Sequence, residues 1–255
     1  MVISNKAAWN SDYAVQTYIA ADNLQKPEQH IINILKDRLP GMRMLDIGVG
    51  GGRTTLHFAP LVKEYVGCDY AENMVTACKK RFPEIGNAFH LGDVRSMPEY
   101  EQGAFDLILF SYNGLDYIDH EDRLKALKEI KRVGKAGGYF VFSSHNLLYI
   151  DKLYTLKWHK RLKDSIYQFY SLFMLTVLNG LPGRYKNRLF AILNDGTNRF
   201  SLKTYYIAPG AQTAQLTALG FKNVRLFSCR TGMEIEPARA HETAPDHWVY
   251  YLCEM

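Results

Sequence analysis

The chain has 255 residues, with 31 Lys plus Arg against 26 Asp plus Glu and a formal net charge of +5. Hydrophobic residues make up 47% and charged residues 22%, which excludes a disordered, collagen-like or disulfide-scaffold chain. The length suits one large domain, or one domain with a substantial insertion. In chain order, residues 25–39 place Ile31, Ile32, Ile34 and Leu35 at helical spacing, and Pro40-Gly41 closes that helix. Residues 42–47 run apolar into Gly48, Gly50, Gly51 and Gly52, and a helix is predicted over 53–60. A second strand over 65–68 ends at Asp69, a helix covers 71–82, and a third strand over 88–91 leads to Gly92-Asp93. The fourth strand, 105–111, is continuously apolar at its centre, as buried parallel strands are. A charged amphipathic helix over 120–133 and a fifth strand over 139–143 follow.

Strands alternating with helices of this length predict βαβ units wound on both faces of one sheet. Right-handed crossovers then bring 48–52, Asp69, Asp93, 111–114 and 144–146 to one edge of that sheet. After residue 150 the rhythm breaks. No strand is expected over 151–200. Leu162, Ile166, Phe169, Phe173 and Val177 recur at spacings of four and three, which predicts an amphipathic helix. The regular pattern resumes with a helix over 209–219, stopped by Gly220, and strands over 221–227 and 248–253. The expected division is a helical cap over 1–40, a cofactor-binding core over 41–150, a helical insertion over 151–200 and the rest of the core over 201–255.

The positive charge is concentrated. Residues 151–190 carry eight basic side chains (Lys152, Lys157, Lys160, Arg161, Lys163, Arg184, Lys186 and Arg188) against Asp151 and Asp164. The segment is therefore +6 and the remainder of the chain −1. It is also rich in aromatics, Trp158 and Phe173 among them. The main reading is an amphipathic helix packed on the core or on a dimer partner, with a solvated charged face. A contact with a membrane surface is the alternative. The longest uncharged run, 165–183, contains Ser, Gln, Asn, Pro and two Gly and is a poor membrane span. Cys68, Cys78, Cys229 and Cys253 have no metal-ligand spacing, and the histidines are scattered, so no metal site is expected. With no basic, apolar leader, secretion is not expected and the cytoplasm is the expected compartment.

The strongest chemical signal is LDIGVGGGRTT at 45–55, a strand entering a glycine-rich turn and then a helix. Glycines allow close backbone approach to a ligand, and the helix start offers free N–H groups. The dinucleotide fingerprint lacks its third glycine, because Arg53 stands there, and Asp46 precedes the first. The pattern resembles motif I of the class I S-adenosylmethionine-dependent methyltransferases. GCDYAENM (67–74), GDV (92–94) and FDLILFSYNGLDYI (105–118) resemble the turns that follow it in that family, and 221–227 and 248–253 its last two strands.

The resemblance implies a Rossmann-like, doubly wound seven-stranded α/β sheet with an antiparallel last strand and a mainly helical insertion acting as a lid. It implies S-adenosyl-L-methionine as cofactor and S-adenosyl-L-homocysteine as product. Gly48, Gly50 and Gly52 would form the loop, with Asp46 supporting it near the methionine amino group. Asp69 would accept from the ribose hydroxyls, beside Tyr70, and Met74 would pack on the adenosyl group. Asp93 would accept from the adenine amino group, and the Val94 N–H would donate to a ring nitrogen. Phe110 and Ser111 would face the methionine part. Tyr13 and Tyr18 would close over the methyl-donor pocket.

Methyl transfer from a sulfonium needs mainly alignment, plus a base where the acceptor carries a proton. His145 is the best-placed candidate base, and a hydrogen-bonded strand-end His is its structural alternative. Asn113, Asn146, Tyr13 and Arg199 are candidate substrate contacts. The expected activity is methyl transfer to an oxygen or nitrogen atom of a small molecule, acidic or sugar-like. An NAD(P)-dependent reductase and a nucleic-acid methyltransferase are the alternatives, although no nucleic-acid partner is expected. The sequence leaves the oligomeric state open.

Overall fold

The structure is a computed structural model and describes residues 5–156 and 161–255. Lys157, Trp158 and Lys160 lie outside the described residues. Ten strands are present among them: β1 Arg43–Ile47, β2 Glu64–Asp69, β3 Phe89–Leu91, β4 Phe105–Phe110, β5 Gly134–Asn146, β6 Phe190–Leu193, β7 Thr204–Ile207, β8 Lys222–Ser228, β9 Glu234–Ile235 and β10 Trp248–Glu254. They form one sheet in the order β3-β2-β1-β4-β5-β10-β8-β9, with β7 pairing to β5 and β6 to β7. The first five are mutually parallel. β10 is antiparallel to both β5 and β8. The seven expected strands are therefore present, with β10 as the antiparallel last strand.

Period-2 alternation explains how the sheet buries both faces. Leu45, Ile47, Ile108, Phe110, Phe140 and Phe142 point into one apolar layer. Met44, Leu107, Leu109, Tyr139 and Val141 point into the other. Helix His120–Val133 covers the first layer through Ala126, Leu127, Ile130 and Val133, and helix Lys26–Leu35 the second through Ile31, Ile32 and Leu35.

Two features depart from the sequence reading. The segment 151–200 is not strand-free: β6 lies inside it and pairs antiparallel with β7, Ala191 opposite Tyr206. Its four residues are too few to show a period. The fifth strand is also longer than the apolar run 139–143. It starts at Gly134, and pairing with β10 carries it on through Ser144 and His145, and pairing with β7 through Asn146. The long insertion helix is present at Leu162–Asn179.

Candidate active site

The C-terminal ends of β1 to β4 open into a cleft of about 560 Å³. β1 is followed by the glycine loop, where Gly48 and Gly50 have φ of +64° and +55° and line the cleft. Gly51 has a different reason to be glycine: a Cβ there would sit 2.4 Å from the Tyr18 backbone. The loop and the N-terminal segment thus meet backbone to backbone. Arg81 fastens that junction, donating to the carbonyls of Ile19 (3.0 Å) and Gly51 (2.8 Å).

Asp69 closes β2 and lines the cleft. One of its oxygens accepts from the Gly50 N–H at 3.0 Å, the other from the Ala71 N–H at 2.9 Å. Each carboxylate oxygen retains acceptor capacity after one such bond. Burial raises the Asp69 pKa, and the N–H groups of Ala71, Gly50 and Tyr70 oppose that rise. Tyr70 and Met74 follow on the same wall. After β3, Asp93 and Val94 line the cleft, and Asp93 is chelated by Arg95 at 2.6–3.1 Å. The Arg95 hydrogen bonds hold its carboxyl below the usual range. Both partners are about two-fifths exposed, so this pair is worth little and yields readily to a ligand.

Phe110 ends β4 on the cleft wall, and Ser111 and Tyr112 follow it. Tyr112 and Asn113 both adopt positive φ, 54° and 58°, which for a tyrosine is strained. Tyr18 and Trp9 from the N-terminal helices complete the wall with Tyr112 and Tyr117. Trp9 packs edge-on to Tyr18 and Tyr117 at 5.6 and 5.0 Å between ring centroids. Burial pushes the Tyr18 hydroxyl up to about 12, so it stays protonated.

The structure therefore gathers Gly48, Gly50, Asp69, Tyr70, Met74, Asp93, Val94, Phe110, Ser111 and Tyr18 around one cavity. Other sequence candidates lie elsewhere. Asp46 is buried outside the cleft, accepting from the Thr54 hydroxyl at 2.5 Å and the Tyr65 hydroxyl at 2.7 Å. It ties β1 to the helix after the loop and supports the loop from behind. Gly52, at φ +80°, packs against Phe82 and Cys78 rather than on the cleft. Tyr13 is 77% exposed and does not line the cleft. Asn113 is buried in the turn after β4 and does not line the cleft. Asn146 is consumed by structure, its amide donating to the carbonyls of Thr243 and Asp246 while its oxygen caps Leu148. Arg199 lies among the left-handed residues Asn198, Arg199 and Phe200 and does not line the cavity. No described residue of 151–200 lines the cleft.

His145 also misses it. Its Nδ1 bonds Asp116 at 2.8 Å, and its backbone N–H donates to the same carboxylate at 2.6 Å. Asp116 in turn binds the fully buried Arg123 at 2.5 Å. Tyr117 lines the cleft and packs edge-on to the imidazole at 6.3 Å, so His145 lies one ring behind the wall.

Sequence reasoning missed a second buried network beside Ser111. Arg53 grips Glu28 with two bonds, 2.6 and 2.7 Å, and donates to the Ser111 hydroxyl at 2.8 Å. The Ser111 hydroxyl donates to Glu28, and Tyr250 reaches the same carboxylate at 3.1 Å. The signal was available: Glu28 shares the buried stripe of Ile31, Ile32 and Leu35, where a charge requires a partner.

An acid at the end of the second strand, a glycine loop after the first and a cleft across the C-terminal edge define a Rossmann-like nucleoside-cofactor fold. Residues 45–142 match the family model for a methyltransferase domain. An uncharacterised methyltransferase of Bacillus subtilis, YcgJ, is 35% identical over 106 residues, 40% of each chain. A malonyl-[acyl-carrier protein] O-methyltransferase of Yersinia pestis is 29% identical over 131 residues, 51% of this chain and 47% of that one. The matched stretch thus spans less than half the length of these relatives. A solved S-adenosylmethionine-dependent methyltransferase of Mesorhizobium loti shares the fold. Its TM-score is 0.62 at 17% identity, covering 90% of this chain and 98% of that one.

Proposed function

We propose that the protein transfers a methyl group from S-adenosylmethionine to an oxygen or nitrogen atom of a small molecule bound in this cleft. The observation that carries the reading is Asp69, whose two oxygens each keep a free acceptor site beside two cleft-lining glycines. A pair of vicinal hydroxyls is the donor set such a carboxylate matches. The cavity volume is in the range of small-molecule and cofactor sites. When bound, the cofactor supplies an electrophilic methyl group on a sulfonium.

The chain's own residues bind and align. Asp69 would hold the ribose, Met74 the adenosyl face, and Asp93 with the Val94 N–H the adenine edge. Phe110, Ser111 and Gly48 would flank the methionine end. Aromatic faces attract a cation, and Trp9, Tyr18, Tyr112 and Tyr117 wall the same cavity. Lys6 adds a cation at the rim that suits an acidic acceptor, and the four rings suit one with a planar apolar part. No described basic side chain of the insertion lines the cleft. His145, held by Asp116 behind Tyr117, is not placed to take a proton from the acceptor. Rate enhancement is therefore assigned to proximity and alignment.

The reading is tested by incubating the protein with S-adenosylmethionine and a panel of small hydroxyl-, carboxyl- and amine-bearing acceptors. S-adenosylhomocysteine formation should rise above background with at least one, and Asp69→Ala should abolish most of that rise. Background turnover with the whole panel, in protein that still binds the cofactor, would remove the small-molecule acceptor.

A further inference from the structure

The helix Leu162–Asn179 meets the rest of the chain through the stripe of the buried Ser165, Leu175 and Asn179, and through Tyr170, whose ring packs edge-on to Phe200 at 6.2 Å. Its opposite side is apolar and exposed: Leu162 at 76%, Ile166 at 60%, Phe173 at 65% and Val177 at 61%. These residues fall within about a quarter-turn of one another on a helical projection, so they form one continuous strip about 25 Å long. The packed helix expected from the sequence is thus packed on the wrong side to hide its apolar face. A strip of this length on a soluble surface marks a contact with something else.

Charge identifies what covers it. Arg161 and Lys163 stand at one end of the strip, and Arg184, Lys186 and Arg188 follow the other; all five are exposed. None makes an ion pair among the described residues. Arg161 and Lys163 sit at the helix N-terminus, where basic groups oppose the macrodipole and Asp164 in the same turn offsets them only in part. An anionic surface beyond the protein compensates that placement. A second copy does not: antiparallel pairing of two such helices would set each basic end against the other.

We propose that this helix docks the protein onto an anionic lipid surface, lying in the interface plane with its apolar strip among the acyl chains and its basic ends at the headgroups. No described helix is long and apolar enough to cross a membrane, so docking is peripheral. The inference stands independently of the methyl acceptor.

Co-sedimentation of the 255-residue protein with phosphatidylcholine vesicles, with and without phosphatidylglycerol, tests it at low and high salt, with solution mass measured by light scattering. Binding should require the anionic lipid, fall with salt, and weaken about tenfold or more in Ile166→Ser/Phe173→Ser and in Lys186→Glu/Arg188→Glu. All four side chains are exposed or partly outside the core, so both variants should unfold at the wild-type temperature; the second keeps the test informative if the first does not fold. Absence of binding to anionic vesicles at low salt overturns the proposal. So does binding that neither variant weakens. A dimer that Ile166→Ser/Phe173→Ser dissociates, without vesicle binding, assigns the strip to self-association instead.

Discussion

Asp46 and Asp69 stand at the ends of neighbouring strands and differ in what their oxygens face. Asp69 keeps acceptor capacity toward the cleft. Asp46 accepts from both the Thr54 and the Tyr65 hydroxyl on one oxygen, Oδ2, in a dry interior. Burial raises the Asp46 carboxyl to about 6, against the Thr54 and Tyr65 hydrogen bonds that favour the charged form. Its pKa is then higher in the folded chain than in the unfolded one, so folding takes up a proton. The stability it contributes is full below about pH 4 and is lost as pH rises through about 6. The stability of wild type relative to Asp46→Asn should therefore fall by of order 3 kcal/mol between about pH 4 and about pH 7. Urea unfolding of both proteins at the two pH values measures it. A difference that stays constant, or grows with pH, contradicts a carboxyl held up by burial.

At the scale of elements, the N-terminal helix Lys26–Leu35 reaches the site through one side chain. Glu28 joins that helix to the glycine-loop residue Arg53 and to Ser111 after β4. Glu28→Gln would leave the buried guanidinium without a counter-charge and should cost about 3–5 kcal/mol. Glu28→Gln/Arg53→Met should recover part of that. Denaturant midpoints decide it, and a loss below about 1 kcal/mol for the single variant contradicts a stabilising clamp.

Elements with strong periodicity were legible: the helix over 120–133 and the strands carrying the glycine loop, Asp69 and Asp93 fall where the sequence places them. Glu28 and Arg123 were each a charge on a buried stripe, a signal present but unread. His145 was legible as a strand-end residue, but Tyr117 in front of it was not. That ring arrives from a turn whose positive φ at Tyr112 and Asn113 no pattern announces. β6 and β7 are four residues each and owe their pairing to tertiary contact rather than to local preference.

For the whole molecule, the net charge of +5 divides into two surfaces with different tasks. The methyltransferase domain carries the cleft, with Asp69, Asp93, Asp119 and Asp122 along it. The insertion carries the basic ends and the apolar strip, and contributes no described residue to the cleft. Position beside the sheet edge made the insertion look like a lid. What the sequence did not contain was the direction in which its helix turns its apolar side, which is set by the packing of Ser165, Leu175 and Asn179 against the body.

The central claim is that the cleft is an S-adenosylmethionine site organised by Asp69. Isothermal titration with S-adenosylhomocysteine tests it most directly, using wild type and a folded Asp69→Ala variant, with NADH as the competing cofactor. The account predicts one site in the wild type, affinity about tenfold or more weaker in Asp69→Ala, and no heat with NADH. No binding of S-adenosylhomocysteine, equal affinity in the two proteins, or binding of NADH in its place would contradict it.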